Sequence, residues 1–197
     1  MKEKFFAKEE INIVEIDATI KIETLDGVYK PAEDSYLLIK AVEARHGEKA
    51  LDMGCGCGII ALHLAKKGCD VTAADINEKA VENTKLNAAK NGLKIKCIKS
   101  DLFSAIKEKF DLIVFNPPYL PTKGEDIAWD GGKGGIEIIL KFLRQAEKHL
   151  KENGSIYIVI SSLCNIGKIK KEFNEIYEFE EVANQSFFFE KLYVYKI

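Results

Sequence analysis

The sequence predicts an α/β protein with a mostly parallel sheet, helices on both faces and one antiparallel edge strand. Strand-like and helix-like runs alternate through most of the 197 residues, as in parallel sheets that are covered on both sides. The last two strand-like runs, residues 178–183 and 187–195, have no helix between them, which indicates an antiparallel pair. Glycine and polar residues follow several predicted strands, where such sheets bind ligands.

The individual elements follow from periodicity and from start and stop signals. Residues 16–22 alternate apolar and polar side chains, which predicts a strand. A helix is expected from Pro31 through Val42 to a stop near Gly47, with acidic residues in its first turn. Further strands are predicted over residues 49–53, 70–74, 95–99, 110–115 and 155–160. Further helices are predicted over residues 59–67, 77–90 with Asn77 as cap, and 135–151, and around Ile166, Ile169, Phe173 and Ile176.

Composition limits the classes of partner. The net charge is -2 and no basic tract is visible, so the sequence gives no sign of a nucleic-acid partner held by phosphate contacts. The five cysteines are odd in number and include no C-x-x-C pair, which disfavours a disulfide framework and a zinc site alike. No metal site is expected. The first ten residues are charged and lack the apolar run of a signal peptide, so we expect a cytoplasmic protein.

A glycine loop follows the first core strand and opens a helix. It contains Gly54, Gly56 and Gly58, and glycine lets the chain turn tightly while a ligand touches the backbone. A dinucleotide-binding enzyme would use a similar loop for pyrophosphate, so the loop alone is ambiguous. Asp52, two positions before the first glycine, makes the segment resemble the first motif of Rossmann-like methyltransferases that use S-adenosylmethionine (SAM). In those enzymes the acidic residue lies near the methionine ammonium group.

Carboxylates end the next two strands. Asp75 can accept hydrogen bonds from both ribose hydroxyls, and it would repel a 2′-phosphate. Asp101 stands where methyltransferases commonly bind the adenine amine, with Leu102 against the ring. Either carboxylate could instead be a simple helix or turn cap. Taken with the glycine loop, the three signals predict SAM as cofactor.

The segment Asn116-Pro117-Pro118-Tyr119 follows the fourth core strand and carries the predicted chemistry. The prolines fix the backbone and remove two donors, so carbonyl oxygens stay free to accept. With the side-chain oxygen of Asn116, they can hold both hydrogens of an NH2 group. Tyr119 can stack on a planar amide or base. This arrangement predicts methylation of a planar amide or amine nitrogen, with alignment supplying much of the rate.

Four stretches make the chain resemble HemK-type methyltransferases, in the short archaeal and eukaryotic branch that methylates a glutamine of class I release factors. They are residues 28–35, 52–58, 101–102 and 116–119. The resemblance implies a Rossmann-like seven-stranded domain over residues 1–197, with residues 1–30 as a short N-terminal strand extension. The helical substrate domain of the bacterial branch is expected to be missing. One departure is Gly134, where the family usually has Asp or Asn.

The resemblance also implies the site residues and the partners. The expected SAM-binding residues are Ser35, Asp52, Gly54, Gly56, Gly58, Asp75, Asp101, Leu102 and Asn116. Asn116, Pro117 and Tyr119 are expected to hold the substrate amide. The implied target is the glutamine of a Gly-Gly-Gln loop. A small zinc-binding activator subunit is the implied partner.

Other readings stay open at this point. Adenine and guanine methyltransferases use similar loops for exocyclic amines. Lysine methylation and a non-catalytic SAM-binding subunit are further alternatives. Residues 187–189 and 192–195 are interpreted as sheet core, although exposed members could form an edge for a partner.

Overall fold

The structure, a computed structural model, describes residues 12–119 and 136–197. The strands are β1 (Asn12–Ile13), β2 (Glu43–Ala44), β3 (Lys49–Met53), β4 (Asp70–Asp75), β5 (Ile95–Lys99), β6 (Phe110–Phe115), β7 (Leu150–Ser161), β8 (Glu180–Ser186) and β9 (Lys191–Lys196). The helices are α1 (Glu33–Ala41), α2 (Ile59–Lys66), α3 (Glu78–Lys90), α4 (Glu137–Ala146) and α5 (Ile166–Phe173), and a short 3-10 helix, Glu147–His149, follows α4. Among these residues, no helix has the length and apolar composition needed to cross a membrane.

Seven strands form one sheet in the order β5-β4-β3-β6-β7-β9-β8. The five strands from β5 to β7 in that order are mutually parallel, and β9 is antiparallel to both of its neighbours. The predicted fold class is therefore confirmed, with the antiparallel strand one position inside the edge. The strand order reverses between β3 and β6, and this switch point is where open α/β sheets bind ligands.

Two apolar clusters cover the two faces of the sheet. Successive residues of β7 alternate between them: Tyr157 and Val159 belong to one cluster, and Ile156 and Ile158 to the other. The first cluster also contains buried side chains of α1, α2 and α3, while the second contains those of α4 and α5. Side chains alternate between two faces that are both covered by helices, so the central strands are apolar at nearly every position.

Several predicted boundaries are wrong. The helix predicted over residues 135–151 ends at Ala146, and β7 runs from Leu150 to Ser161 instead of over residues 155–160. The last helix ends at Phe173 instead of reaching Ile176.

Helix α1 ends at Ala41 instead of near Gly47, because Val42 turns to an extended conformation (φ -73°, ψ 128°) and leads into β2, which pairs with β1. The last strand begins at Lys191 rather than at 187. Residues 187–190 form the hairpin connection instead, closed by a bond from the Phe187 amide to the Glu190 carbonyl (2.7 Å).

The strand predicted over residues 16–22 is also wrong, since the structure has no strand there. A turn stands at Asp17, whose carboxylate accepts from the amide of Thr19 (2.8 Å). Beyond the turn the chain is extended, but its hydrogen bonds do not go to a neighbouring strand. They go to side chains of α3 and of Asn91, which caps the C-terminal end of this helix.

Three asparagines, which we call the asparagine ladder, take the place of a strand. The pairs are Asn91 with Lys21, Asn87 with Glu23, and Asn83 with Leu25 and Glu23, at 2.8–3.0 Å. In the first two pairs the amide both accepts from the backbone N–H and donates to the carbonyl. Four helical residues rise about 6 Å and two extended residues about 6.6 Å, so the two spacings match.

Candidate active site

A cavity of about 830 Å³ lies where β3, β4, β5 and β6 end. Its walls include the glycine loop after β3, Asp75 at the end of β4, the turn after β5 and the residues after β6. Tyr29, residues 31–35, the start of α4 and the hairpin of residues 187–190 also line the cavity. The cavity therefore lies at the switch point of the sheet.

The glycine loop is held in a conformation that other residues rarely adopt. Gly54, Gly56 and Gly58 have φ of 66°, 53° and 86°. A Cβ on Gly54 would lie 3.2 Å from the Phe115 ring, and a Cβ on Gly58 would lie 2.8 Å from the methyl group of Thr84. Gly54 and Gly56 line the cavity, whereas Gly58 is not among the lining residues.

Helix α3 supports this loop from behind. The Thr84 hydroxyl donates to the Gly56 carbonyl (3.1 Å), and the Asn87 amide donates to the Cys57 carbonyl (2.8 Å). Because Asn87 also binds the backbone of Glu23, one buried side chain ties the loop to the N-terminal segment. The sequence reasoning missed this role, although the four-residue spacing of the asparagines is visible in the sequence.

Asp52 lies under the loop and does not line the cavity. Its side chain is fully buried, and Oδ2 accepts from the Ala61 amide at the start of α2 (3.0 Å). Its Oδ1 has no hydrogen-bond partner among the described residues. Burial raises the pKa of this carboxyl to about 8. An unpartnered buried carboxylate oxygen is costly, and a cationic group in the neighbouring cavity would relieve that cost.

Asp75 is partly engaged by the loop itself. Its Oδ2 accepts from the Gly56 amide (3.0 Å), and its Oδ1 accepts from the Asn77 amide (2.8 Å). Burial raises the pKa of its carboxyl, and these two backbone bonds oppose that shift. The separate prediction that Asn77 caps α3 is confirmed, because its side chain accepts from the Lys79 amide (3.0 Å).

The turn after β5 carries Asp101 and Leu102, and both line the cavity. Leu102 has φ of 45°, a left-handed conformation that is uncommon for a leucine. The Ser100 hydroxyl holds it by donating to the Leu102 carbonyl (2.6 Å). The turn thereby presents a half-buried apolar side chain to the cavity.

Asn116, Pro117, Pro118 and Tyr119 all line the cavity. The side-chain oxygen of Asn116 is buried and has no hydrogen-bond partner within residues 12–119 and 136–197. The prolines cannot donate to it. An acceptor in this condition is available to a donor from a bound molecule, and the NH2 group of an amide or amine provides one.

Asp34 is the functional residue that the sequence reasoning missed. It is buried, lines the cavity, and its Oδ2 accepts from the hydroxyls of Tyr119 (3.2 Å) and Tyr29 (2.8 Å). Its Oδ1 accepts from the amide and the hydroxyl of Ser35. Burial and the adjacent Asp34 charge raise the pKa of Tyr119, so this phenol stays a donor. The signal was an acidic residue in the first turn of α1, which was interpreted only as a helix start.

The charge of the cavity wall has one sign. The lining contains six carboxylates, and among the described residues it contains no Lys, Arg or His. The six are Glu33, Asp34, Asp75, Asp101, Glu137 and Glu190. Such a wall attracts cations and repels phosphates.

The hairpin of residues 187–190 contradicts one prediction. Phe188 is 91% exposed and Phe189 is 85% exposed, so the interpretation of residues 187–189 as sheet core is wrong for these two. Phe187 packs against the first apolar cluster, and Leu192 and Val194 are buried as expected. All three phenylalanines line the cavity.

Most of the predicted site residues therefore meet at one place. The structure brings Ser35, Gly54, Gly56, Asp75, Asp101, Leu102, Asn116, Pro117 and Tyr119 to the cavity wall. Asp52 and Gly58 stand outside that wall. Gly134, where the sequence departs from the family pattern, lies outside the described residues.

Comparisons with known proteins agree with this geometry. The methyltransferase small domain family matches residues 19–189. A candidate protein N5-glutamine methyltransferase of Methanocaldococcus jannaschii is 42% identical over 80% of this chain and 86% of its own length. The solved Mtq2–Trm112 complex of E. cuniculi, responsible for methylation of the eRF1 termination factor, is similar with a TM-score of 0.71. It is 25% identical, over 86% of this chain and 97% of that chain.

A relative with a different target is also similar. The ribosomal RNA small subunit methyltransferase C of Hamiltonella defensa is 30% identical over 85% of this chain. The match spans 48% of that relative, so this chain corresponds to about half of its length.

Proposed function

The chain belongs to the methyltransferase small domain family and is a SAM-dependent methyltransferase of the HemK type. We propose that it methylates the side-chain amide nitrogen of a glutamine in the Gly-Gly-Gln loop of a class I translation release factor. The observation that carries the proposal is the unpartnered Oδ1 of Asn116, beside two prolines in the cavity wall. The name of the M. jannaschii relative supports glutamine as the acceptor, and the description of the Mtq2–Trm112 complex supports a termination factor as the substrate.

The cavity fits SAM. Gly54 and Gly56 offer backbone without side chains, Asp75 lies at the end of β4 for the ribose, and Asp101 and Leu102 offer a carboxylate and an apolar surface for adenine. Ser35 and Asn116 complete this set. When bound, SAM supplies an electrophilic methyl group on a sulfonium centre.

Two of the expected SAM-binding residues support the loop instead of lining the cavity. Asp52 accepts from the amide at the start of α2 and leaves a buried oxygen without a hydrogen-bond partner among the described residues, and a cation in the cavity would favour the ionised form of this carboxyl. Gly58 lets the loop pack directly on Thr84. We therefore assign both residues to loop geometry and electrostatics.

The chain's own groups orient the acceptor nitrogen. Asn116 Oδ1 and a proline carbonyl accept the two N–H groups of the amide, which favours a more tetrahedral and more nucleophilic nitrogen. Tyr119 flanks the planar amide, and its hydroxyl is fixed by donation to Asp34. We expect the chain to work mainly by positioning the nitrogen, since the bases that the described cavity wall offers are carboxylates and not His or Lys.

The charge of the wall supports a protein target over a nucleic acid. A flipped adenine or guanine could satisfy the same acceptors, and the ribosomal RNA relative keeps that alternative open. Its phosphates, however, would meet a wall with six carboxylates and no cationic side chain among the described residues. A glutamine loop carries no such penalty.

We also propose a partner subunit. The similar Mtq2 structure was solved as a complex with Trm112, which supports a second chain here. The small zinc-binding activator that the HemK resemblance implies is therefore included in the assay. Size-exclusion chromatography with light scattering tests whether the two chains form a stable 1:1 complex.

The test is methyl transfer from labelled SAM to a purified class I release factor, with and without the activator. Label in the intact factor and none in a variant whose Gly-Gly-Gln glutamine is replaced by alanine supports the proposal. Peptide mass spectrometry then locates the added methyl group. Label that appears only in added ribosomal RNA, and disappears with nuclease, assigns the chain to the nucleic-acid class.

The mechanism has a separate test in Asn116→Ala. We expect turnover to fall by about 10²–10³, the usual effect of removing one oriented hydrogen-bonding group, while SAM binding is largely kept. Asn184→Ala, which removes an exposed amide from β8, is the matched control. Normal turnover in Asn116→Ala would refute the proposed role of Asn116 in holding the substrate amide.

A further inference from the structure

A separate cavity of about 390 Å³ lies between residues 14–18 and the C-terminal end of α2. It shares no lining residue with the larger cavity. Helix α2 connects the two, because Ile59 at its start lines the larger cavity and Lys66 at its end lines the smaller one. The methylation chemistry proposed above makes no use of this smaller cavity.

His63 lines the smaller cavity and is almost completely buried, with 3% of its surface exposed. Its Nδ1 lies 2.7 Å from the Ile59 carbonyl, and because a carbonyl only accepts, Nδ1 carries the proton. Burial lowers the pKa of His63, so the ring stays neutral and Nε2 keeps its lone pair. This Nε2 has no hydrogen-bond partner in the part of the chain that the structure describes. It is therefore a buried acceptor that is available to a donor from a bound molecule.

Charged side chains of both signs share this cavity with His63. Glu15 and Asp17 come from the segment before α1, and Lys66 and Lys67 come from the end of α2. Lys66 Nζ lies 3.8 Å from Asp17 Oδ2, whereas Glu15 and Lys67 are in no ion pair among residues 12–119 and 136–197. The helix dipole explains lysines at this end of α2, but it does not explain a buried acceptor in a cavity with two carboxylates. The pattern indicates a ligand that carries both charges.

We propose that the smaller cavity binds a free α-amino acid with an aliphatic side chain. The ammonium group of such a ligand donates hydrogen bonds, which match the lone pair of His63 and the carboxylate of Asp17, while Glu15 adds negative charge. The carboxylate of the ligand matches the ammonium groups of Lys66 and Lys67. The proposal goes beyond the proposed function and does not depend on which substrate is methylated.

The rest of the lining favours an aliphatic side chain over other ligands. Val14 and Ile16 line the cavity and offer apolar surface. An inorganic anion would engage the lysines but leave Nε2 of His63 without a donor. A divalent cation is disfavoured as well, because the described residues contain no group of three or more His, Cys, Asp or Glu that could hold a metal.

The first experiment observes the His63 nitrogen directly. Protein carrying nitrogen-15 histidine is titrated with L-leucine and followed by long-range proton–nitrogen spectra. The chain has three histidines, and the signal that is lost in His63→Phe identifies His63. We expect the Nε2 signal to shift saturably, and the melting temperature to rise with the concentration of L-leucine. No saturable shift up to the solubility limit of L-leucine would overturn the proposal.

Ligand analogues test the two charged groups separately. The analogue 4-methylpentanoate lacks the ammonium group and should bind at least about tenfold more weakly, because that group meets a buried acceptor and a carboxylate. L-leucine methyl ester lacks the carboxylate and should bind about fivefold more weakly, because the lysines are partly exposed. Equal binding of all three compounds, or an equal shift with sodium phosphate or zinc chloride, would refute an amino acid as the ligand.

Variants then assign the binding to this cavity. His63→Phe keeps the shape of the ring but removes the acceptor, so it should bind L-leucine at least about tenfold more weakly. The double variant Lys66→Gln/Lys67→Gln should lose about fivefold. Lys85→Gln/Lys94→Gln, which changes two exposed lysines outside the cavity, is the matched control.

Circular dichroism and SAM binding establish that each variant is folded, and we expect both to match those of the unchanged chain. If the lysine double variant and a folded His63→Phe bind L-leucine as tightly as the control, the assignment to this cavity is wrong. If His63→Phe does not fold, the lysine double variant and the analogues still decide the matter, since unchanged binding in them refutes the site.

Discussion

Replacing Asn87 by alanine should destabilise the protein far more than the same change at Asn91. Asn87 accepts from the Glu23 amide (3.0 Å) and donates to the carbonyls of Glu23 and Cys57 (2.8 Å each). Asn91 also makes three bonds, to the amide and carbonyl of Lys21 and to the Asn87 carbonyl, at 2.7–2.8 Å. The two residues differ in burial, because Asn87 is 1% exposed and Asn91 is only half-buried.

The expected magnitudes follow from that difference. Three net hydrogen bonds at about 1 kcal/mol each, less about 0.5 kcal/mol gained in helix propensity, give a loss of about 2–3 kcal/mol for Asn87→Ala. Water can replace much of what Asn91 provides, so its loss should stay near or below about 1 kcal/mol. SAM affinity should also fall more in Asn87→Ala, because only Asn87 holds the Cys57 carbonyl in the glycine loop.

Urea unfolding followed by circular dichroism measures the free energy of unfolding of both variants, and isothermal titration calorimetry measures SAM binding. Equal m-values would establish that the two unfolded states are comparable. If the two variants lose the same free energy within about 0.5 kcal/mol, the ladder is not a buried structural element and the reasoning from burial is refuted.

Three further changes test the site. Gly58→Ala should lower the free energy of unfolding by at least about 2 kcal/mol, because its Cβ would clash with Thr84 and φ of 86° is unfavourable for alanine. Adding Thr84→Ala should relieve only the clash, so stability should be recovered only in part. Full recovery in chemical denaturation would contradict this. Tyr119→Phe removes the hydrogen bond from Tyr119 to Asp34, whereas Asp34→Asn also alters the bonds that Asp34 accepts from Tyr29 and Ser35. Tyr119→Phe should lower kcat about tenfold, Asp34→Asn at least as much, and the double variant no more than Asp34→Asn alone; a further loss in the double variant would mean that the two residues act independently. The raised pKa of Asp52, about 8, means that the SAM-free fold holds this proton more tightly than the unfolded chain. The contribution of Asp52 to the free energy of unfolding is therefore fully present below about pH 4 and is lost as pH rises to 8. Asp52→Asn should abolish this pH dependence when melting temperatures are measured across the range. An unchanged slope would exclude the Asp52 carboxyl as its source.

Much of the fold could be predicted because its central elements obey local rules. The strands at 95–99 and 110–115 were predicted with their observed bounds, and the glycine loop between β3 and α2 was located by its glycines. The cavity could be anticipated for the same reason, since side chains that follow parallel strands collect at one edge of the sheet. Local pattern and global architecture agree in this half of the protein.

The remainder depended on partners that are distant in sequence. The alternation over residues 16–22 is real, but the segment bonds α3 instead of a strand, and periodicity does not identify a partner. The role of Asp34 depends on Tyr119, 85 residues away. The exposed Phe188 and Phe189 contradict the usual preference of phenylalanine for the core, which the hairpin connection overrides.

The asparagine ladder also implies an order of folding. Its bonds join residues 58–70 positions apart, so the extended segment finds no partner until α3 has been made. During synthesis on the ribosome this stretch cannot make these bonds before α3 has been added to the chain, and closing so long a loop costs entropy. The wall that Tyr29 and residues 31–35 add to the cavity can therefore be fastened through the ladder only after the glycine loop, which precedes α3 in the chain, has been synthesised.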